Sequence, residues 1–204
     1  MAQPTAGTLV KTLAARSDLS VAIRVAAVCL MAALTAVAAQ VSIHLPFTPV
    51  PLTLQPMVVL LGGAALGARL GAASQVLYLS AGLAGLPVFA ASTVLPPGPL
   101  RLLGPTGGYL LSYPIAAFVT GWLAERGFDR RYLTSVAAMA AGLLIVFACG
   151  VAWLAWFARP AAAGFETALR TGFLAFLPVD IYKILVAAAI LPGVWKFTGL
   201  RPTP

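Results

Sequence analysis

Charge is what this 204-residue sequence has least of: Asp, Glu, Lys and Arg make up 9% of it, against about 25% in an ordinary soluble domain. A soluble fold of this length needs a polar shell, and too few polar side chains are present to build one. Histidine occurs once and cysteine twice. A lone His44 offers no metal constellation. Cys29 and Cys149 lie inside apolar runs with no C-x-x-C spacing, so neither a disulfide framework nor a thiolate metal site is expected. No carboxylate cluster, Gly-x-Ser-x-Gly elbow or H-E-x-x-H pattern occurs, which disfavours an enzyme; no metal or cofactor is expected.

What is abundant is apolar surface, with 61% hydrophobic residues and a mean hydropathy of +0.97. Lipid must then be the solvent for most of this surface. Without water to satisfy backbone groups, only helices or a closed barrel can span the bilayer. A barrel would show short alternating strands of about 10 residues. The sequence shows unbroken Ala- and Leu-rich runs instead, and predicts an all-α membrane protein. A net charge of +8 would suggest nucleic acid in a soluble protein. Here it reads as orientation, because Lys and Arg accumulate in cytoplasmic loops; no nucleic-acid partner is expected.

Six transmembrane helices are predicted: Val25–Val41, Val50–Leu66, Leu70–Leu86, Tyr109–Ala124, Thr134–Phe157 and Gly172–Trp195. Residues 1–204 form one integral membrane domain: a cytoplasmic segment 1–24, a six-helix bundle 25–195 and a tail 196–204. With the N-terminus inside, Lys11, Arg16, Arg24, Arg69, Arg126, Arg130, Arg131, Lys196 and Arg201 fall on the cytoplasmic side, against Arg101, Arg159 and Arg170 outside. That bias supports two cytoplasmic termini. Several spans fall at the short end of about 17–25 residues, as expected of helices around a ligand cavity. No internal repeat supports an inverted-repeat transporter.

The most informative charges are Asp180 and Lys183, inside the last span. A charge there costs roughly 2.5–3.5 kcal/mol on insertion scales, so it is expected to face a partner or a polar cavity. Three residues apart, the two share a helix face. A neutralising ion pair is one reading; a pair that meets a polar ligand is the other, favoured because apolar residues would serve packing better. A long external loop, Pro87–Gly108, joins spans three and four, and loops of that length are often lids. Arg101 is its only charge and can clamp a carboxylate. Gln55, at the outer start of span two, both donates and accepts; Gln75 and Tyr78 on span three read either as ligand contacts or as interhelical bonds. Gly63, Gly67 and Gly71 allow close helix approach. Ala32 and Ala36, with Ala22 and Ala26 earlier, give span one a small-residue face, read either as an ordinary Ala-rich helix or as a docking face for another membrane subunit.

Four segments occur in order: Pro49-Val50-Pro51-Leu52-Thr53-Leu54-Gln55, Gly85-Leu86-Pro87-Val88-Phe89, Gly104-Pro105-Thr106-Gly107-Gly108-Tyr109, and Pro178-x-Asp180-x-x-Lys183. Together they resemble the BioY family, the substrate-binding S components of energy-coupling factor (ECF) biotin transporters, over about Val21–Trp195. The resemblance implies a six-helix bundle in a bacterial plasma membrane that binds biotin near its external side. It implies as partners a transmembrane coupling subunit and two ABC-type ATPases; this chain has no Walker motif, so ATP hydrolysis falls to them. S components present an Ala-x-x-x-Ala face to the coupling subunit, and Ala32 and Ala36 match it. For biotin, Asp180 and Lys183 supply the acceptor and donor that a ureido group needs. Arg101, Thr106 and Tyr109 are candidates for its carboxylate, Phe89 and Tyr78 for its ring, and Gln55 for a further polar contact. The rival reading is a stand-alone secondary transporter of a small carboxylate or vitamin.

Overall fold

A computed structural model of the chain describes residues 7–14, 20–92, 95–96, 98–157 and 164–198. Arg16, Asp18, Thr93, Val94, Pro97, Arg159 and Arg201 lie outside the described residues. The chain is mostly helical. A short α1 (Leu9–Ala14) precedes α2 (Ser20–Gln40), and an antiparallel hairpin of β1 (Ser42–Ile43) and β2 (Leu52–Thr53) leads to α3 (Gln55–Leu66). Then come α4 (Ala68–Leu83), α5 (Leu100–Leu103), α6 (Gly107–Ala124), α7 (Tyr132–Trp156), α8 (Phe165–Leu169), a π-helical turn at Arg170–Leu174, and α9 (Leu177–Thr198). Ser20–Gln40, Tyr132–Trp156 and Phe165–Thr198 are long and apolar enough to cross a membrane; α3 is apolar but shorter. The outer surface agrees with lipid as solvent: Val21, Leu133, Leu144 and Phe197 are all exposed.

The helix expected from Val50 starts at Gln55. Pro49 and Pro51 lack the N–H a helix needs and disfavour helical geometry in the residue before them; the chain uses the stretch for a hairpin, with Ser42 opposite Thr53. Pro56 then sits in the first turn of α3, where its missing N–H costs nothing. The helix expected from Gly172 begins earlier and changes its winding there. A π turn occupies Arg170–Leu174 and α9 starts at Leu177.

The helix ends sort into two sets. At the basic end, Lys11 Nζ pairs with Glu125 Oε1 at 2.6 Å, and the same oxygen accepts the Ala68 N–H at 3.2 Å. This joins α1, the α3–α4 turn and the end of α6. Asp129, 1% exposed in the α6–α7 connection, accepts Trp195 Nε1 at 2.7 Å and so fixes the end of α9 there as well. Burial pushes the Asp129 carboxyl above its ordinary range, against the pull of the Trp195 hydrogen bond and of Arg130. Helices α3, α4 and α6 meet here through small residues. A methyl group on Gly63 would overlap the Ala117 carbonyl, and one on Gly121 would overlap the backbone of Gly67 and Ala68. Gly67 itself has φ +89°, a conformation that favours glycine and makes the sharp α3–α4 turn possible.

At the opposite end the connections interlock. Thr48 Oγ1 donates to the Thr171 carbonyl at 2.8 Å, Gln40 Nε2 to the Pro87 carbonyl at 3.3 Å, and Trp153 Nε1 to the Gly104 carbonyl at 2.9 Å. Helices α6 and α9 both start at this end and both finish at the basic end, so they run in the same direction.

Candidate functional site

The interlocked end encloses a cavity of about 240 Å³, slightly below the roughly 300–1,000 Å³ usual for ligand pockets. It is lined by the β1–β2 hairpin, the starts of α3, α6 and α9, the middle of α7, and the segment around Phe89 and Arg101. Phe89, Val146, Phe147 and Phe176 supply apolar wall. The polar groups are few and convergent, the composition expected of a small-molecule site.

Asp180 and Lys183 are its centre. Their side chains are 7% and 8% exposed and pair at 2.7 Å. Both line the cavity rather than facing lipid. Lys183 Nζ also donates to the Thr53 carbonyl at 2.6 Å, so the pair holds the hairpin over the cavity. An ammonium has three N–H donors; two are used, and one is left for a ligand. Asp180 engages Lys183 through Oδ1 and keeps a second oxygen as acceptor.

Of the other residues proposed from sequence, Gln55, Phe89, Arg101, Thr106 and Tyr109 also line the cavity. Gln55 is spoken for in part: Thr53 Oγ1 donates to its Oε1 at 3.3 Å, and its Nε2 donates to the Tyr78 hydroxyl at 2.7 Å. Arg101 is buried and its Nε donates to the Pro96 carbonyl at 3.1 Å, which leaves its terminal guanidinium nitrogens. Thr106 stands at the N-cap of α6 without capping it.

Tyr78 is different. It does not line the cavity but stands behind Gln55, donating onward to the Val88 carbonyl at 3.2 Å and meeting Phe89 edge-on at 5.5 Å. It braces the wall instead of forming it, because a tyrosine with an 84° edge contact and two hydrogen bonds fills its own volume. Tyr109 is partly reassigned as well: its hydroxyl proton goes to the Gly172 carbonyl in the π turn at 2.8 Å. It can accept from a ligand, not donate to one. Ala32 is buried and Ala36 half-buried, both packed against the bundle core. Of the small residues read from sequence on this helix, Ala22 and Ala26 are exposed, as is Ala33.

Sequence reasoning missed Tyr113, Thr53 and His44 as lining residues. Tyr113 was findable, since it follows Tyr109 by four residues on one helix face. Thr53 contributes a backbone carbonyl, which no side-chain pattern announces. His44 Nε2 lies 3.1 Å from the Ala91 carbonyl, tying the hairpin to the segment opposite.

A family model described as the BioY family matches residues 9–199. A probable biotin transporter BioY from Pyrococcus horikoshii is 43% identical over 166 residues, which is 81% of this chain and 92% of that one. The biotin transporter BioY of Thermotoga maritima is 38% identical over 148 residues, covering 72% and 82%. Among solved structures, the S-component for biotin from an ECF-type ABC transporter superposes with a TM-score of 0.78 at 24% identity, over 88% of this chain and 94% of that one; the two share a fold. On the matched family model and these relatives, the chain belongs to the BioY family.

Proposed function

We propose that the chain captures biotin in this cavity as the S component of an ECF uptake system, and delivers it through a transmembrane coupling subunit driven by two ABC-type ATPases. The observation that carries the binding step is the buried Asp180–Lys183 pair lining a cavity. Biotin's ureido group offers two N–H donors and one carbonyl acceptor. The free Asp180 oxygen and the one remaining Lys183 N–H are complementary to that edge. The relatives' names support biotin as ligand, since both are called biotin transporters.

The acid tail then runs toward Arg101 and Thr106. An uncapped Thr106 puts the start of α6, an 18-residue helix, at the cavity rim, and a helix N-terminus favours an anion. Tyr109 has no proton to offer a carboxylate, so the clamp reduces to Arg101, Thr106 and the α6 start. Phe89 and the apolar wall hold the bicyclic ring.

In this reading the chain crosses the plasma membrane six times, with α2, α3, α4, α6, α7 and α9 as the spans. Both termini are then cytoplasmic, and the cavity faces outward. The basic end carries Lys11, Arg69, Arg126, Arg130, Arg131 and Lys196, in keeping with the cytoplasmic side. The coupling subunit docks on the outward face of α2, where Ala22, Ala26 and Ala33 permit close helix approach.

The test is calorimetric titration of the detergent-purified protein with biotin, followed by uptake in vesicles with and without the ATPases. One biotin per chain and uptake that needs ATP hydrolysis are expected. No biotin binding ends the proposal; binding with gradient-driven uptake in the chain's sole presence hands it to the secondary-transporter reading.

A further inference from the structure

Four tyrosine and threonine hydroxyls close to the cavity are already engaged: Tyr78 with Gln55 and Val88, Tyr109 with Gly172, Thr48 with Thr171, and Thr53 with Gln55. Thr106, assigned above to the acid tail, is not engaged, and neither is Tyr113. It is 3% exposed and lines the cavity, yet no described residue hydrogen-bonds its hydroxyl. Its oxygen is not one of the polar atoms sealed in the core without a partner, so it opens on the cavity and can bond what enters there. Its neighbours on α6, Ala116 and Ala117, are fully buried and carry no polar side chain that could bond it.

The position of Tyr113 says what its partner is. It stands six residues into α6, as Lys183 stands six residues into α9; both are roughly 9 Å down helices that run the same way from the same end. Both side chains line the cavity, each from its own helix. Lys183 has one N–H left after Asp180 and Thr53, whereas a urea-type carbonyl oxygen has two lone pairs to satisfy when it leaves water. One donor is missing.

We infer that Tyr113 is the second donor to the ligand's ureido carbonyl, and so a specificity-determining residue that selects an oxygen acceptor at that position. This deepens the biotin reading and rests on it. The other unspent side-chain donors on the cavity, Arg101 and Thr106, are those assigned above to the acid tail. A ligand that presents a poorer acceptor there loses the Tyr113 bond without gaining another.

The experiment is a cycle of two proteins and two ligands, read by titration calorimetry in detergent. The proteins are the wild type and Tyr113→Phe; the ligands are biotin and its analogue with the ureido oxygen replaced by sulfur, a weaker acceptor. Loss of one buried hydrogen bond predicts about tenfold weaker biotin binding by Tyr113→Phe, with less than about a threefold change for the sulfur analogue. A loss below about threefold for biotin, or equal losses for both ligands, overturns the inference, since the second pattern is that of a packing change alone. Should the phenylalanine variant not fold, 3-fluorotyrosine at position 113 supplies a stronger donor. It is expected to tighten biotin binding, and unchanged or weaker binding refutes the role. Wild-type protein that binds no biotin would instead sink the functional proposal, so the two failures are distinguishable.

Discussion

At the basic end of the bundle α3, α4 and α6 touch through Gly63, Gly67, Gly71, Ala117 and Gly121, while at the cavity end the same α3 and α6 stand apart around buried polar side chains. The difference separates two tasks. Close backbone approach gives dense van der Waals contact, which drives helix association where no hydrophobic effect operates between helices in lipid. A polar cavity does the reverse: it removes contacts and buries groups that need partners. The basic end therefore carries stability and the cavity end carries affinity, and substitutions at the two ends are expected to fail in different ways.

The largest effect is expected at the cavity end. Removing either member of the buried pair alone leaves an uncompensated charge, so Asp180→Asn and Lys183→Met are best read beside the double variant, which leaves none. All three are expected to weaken biotin binding by roughly 100-fold or more, because hydrogen bonds to charged groups contribute about 1.5–3 kcal/mol each. The double variant should keep the wild-type melting temperature within a few degrees. A double variant that binds normally would erase the contrast between the two ends.

Next in size is the converse substitution. Gly121→Leu forces a side chain into the backbone of Gly67 and Ala68, and overpacking of this kind costs about 1–3 kcal/mol. A clear fall in melting temperature is expected, with the biotin affinity of the folded fraction unchanged. Equal loss of both would mean that the glycine seam and the cavity are one unit.

The smallest effect sharpens the boundary within the cavity end itself. Tyr78 braces Gln55 and Val88 from behind the wall. Tyr78→Phe is expected to cost about threefold in affinity, through a looser wall and not a lost ligand contact, since a typical neutral hydrogen bond contributes about 0.5–1.5 kcal/mol net. The change should appear in the dissociation rate measured by stopped flow. A tenfold or larger loss would put Tyr78 back among the ligand contacts.

Much of this was legible in the residues. A bundle of apolar helices followed from the scarcity of charge, and the i, i+3 pair inside a span pointed to a cavity before one was seen. Less legible was what the proline-rich stretch before Gln55 builds. Its prolines announced a break, but the hairpin that Lys183 grips depends on the Thr53 carbonyl, and every residue has a carbonyl. The inward turn of Ala32 was hidden for a related reason: an Ala-rich helix with Ala22, Ala26, Ala32, Ala33 and Ala36 offers small residues on more than one face, and only neighbouring helices select which is covered. The partial withdrawal of Tyr109 depended on a π turn whose free carbonyl captures its proton, and irregular backbone of this kind is not written in periodicity. Asp129 is buried against Trp195, a pairing across the fold that spacing could not reveal.

The most direct test of the central claim is an experimental structure of the protein with biotin bound in a lipid environment. The ureido ring is expected in the cavity, with Asp180 Oδ2 and Lys183 Nζ within hydrogen-bond distance and the acid tail directed to Arg101. Biotin seated elsewhere, or an Asp180–Lys183 pair sealed from the ligand by the hairpin, would contradict it.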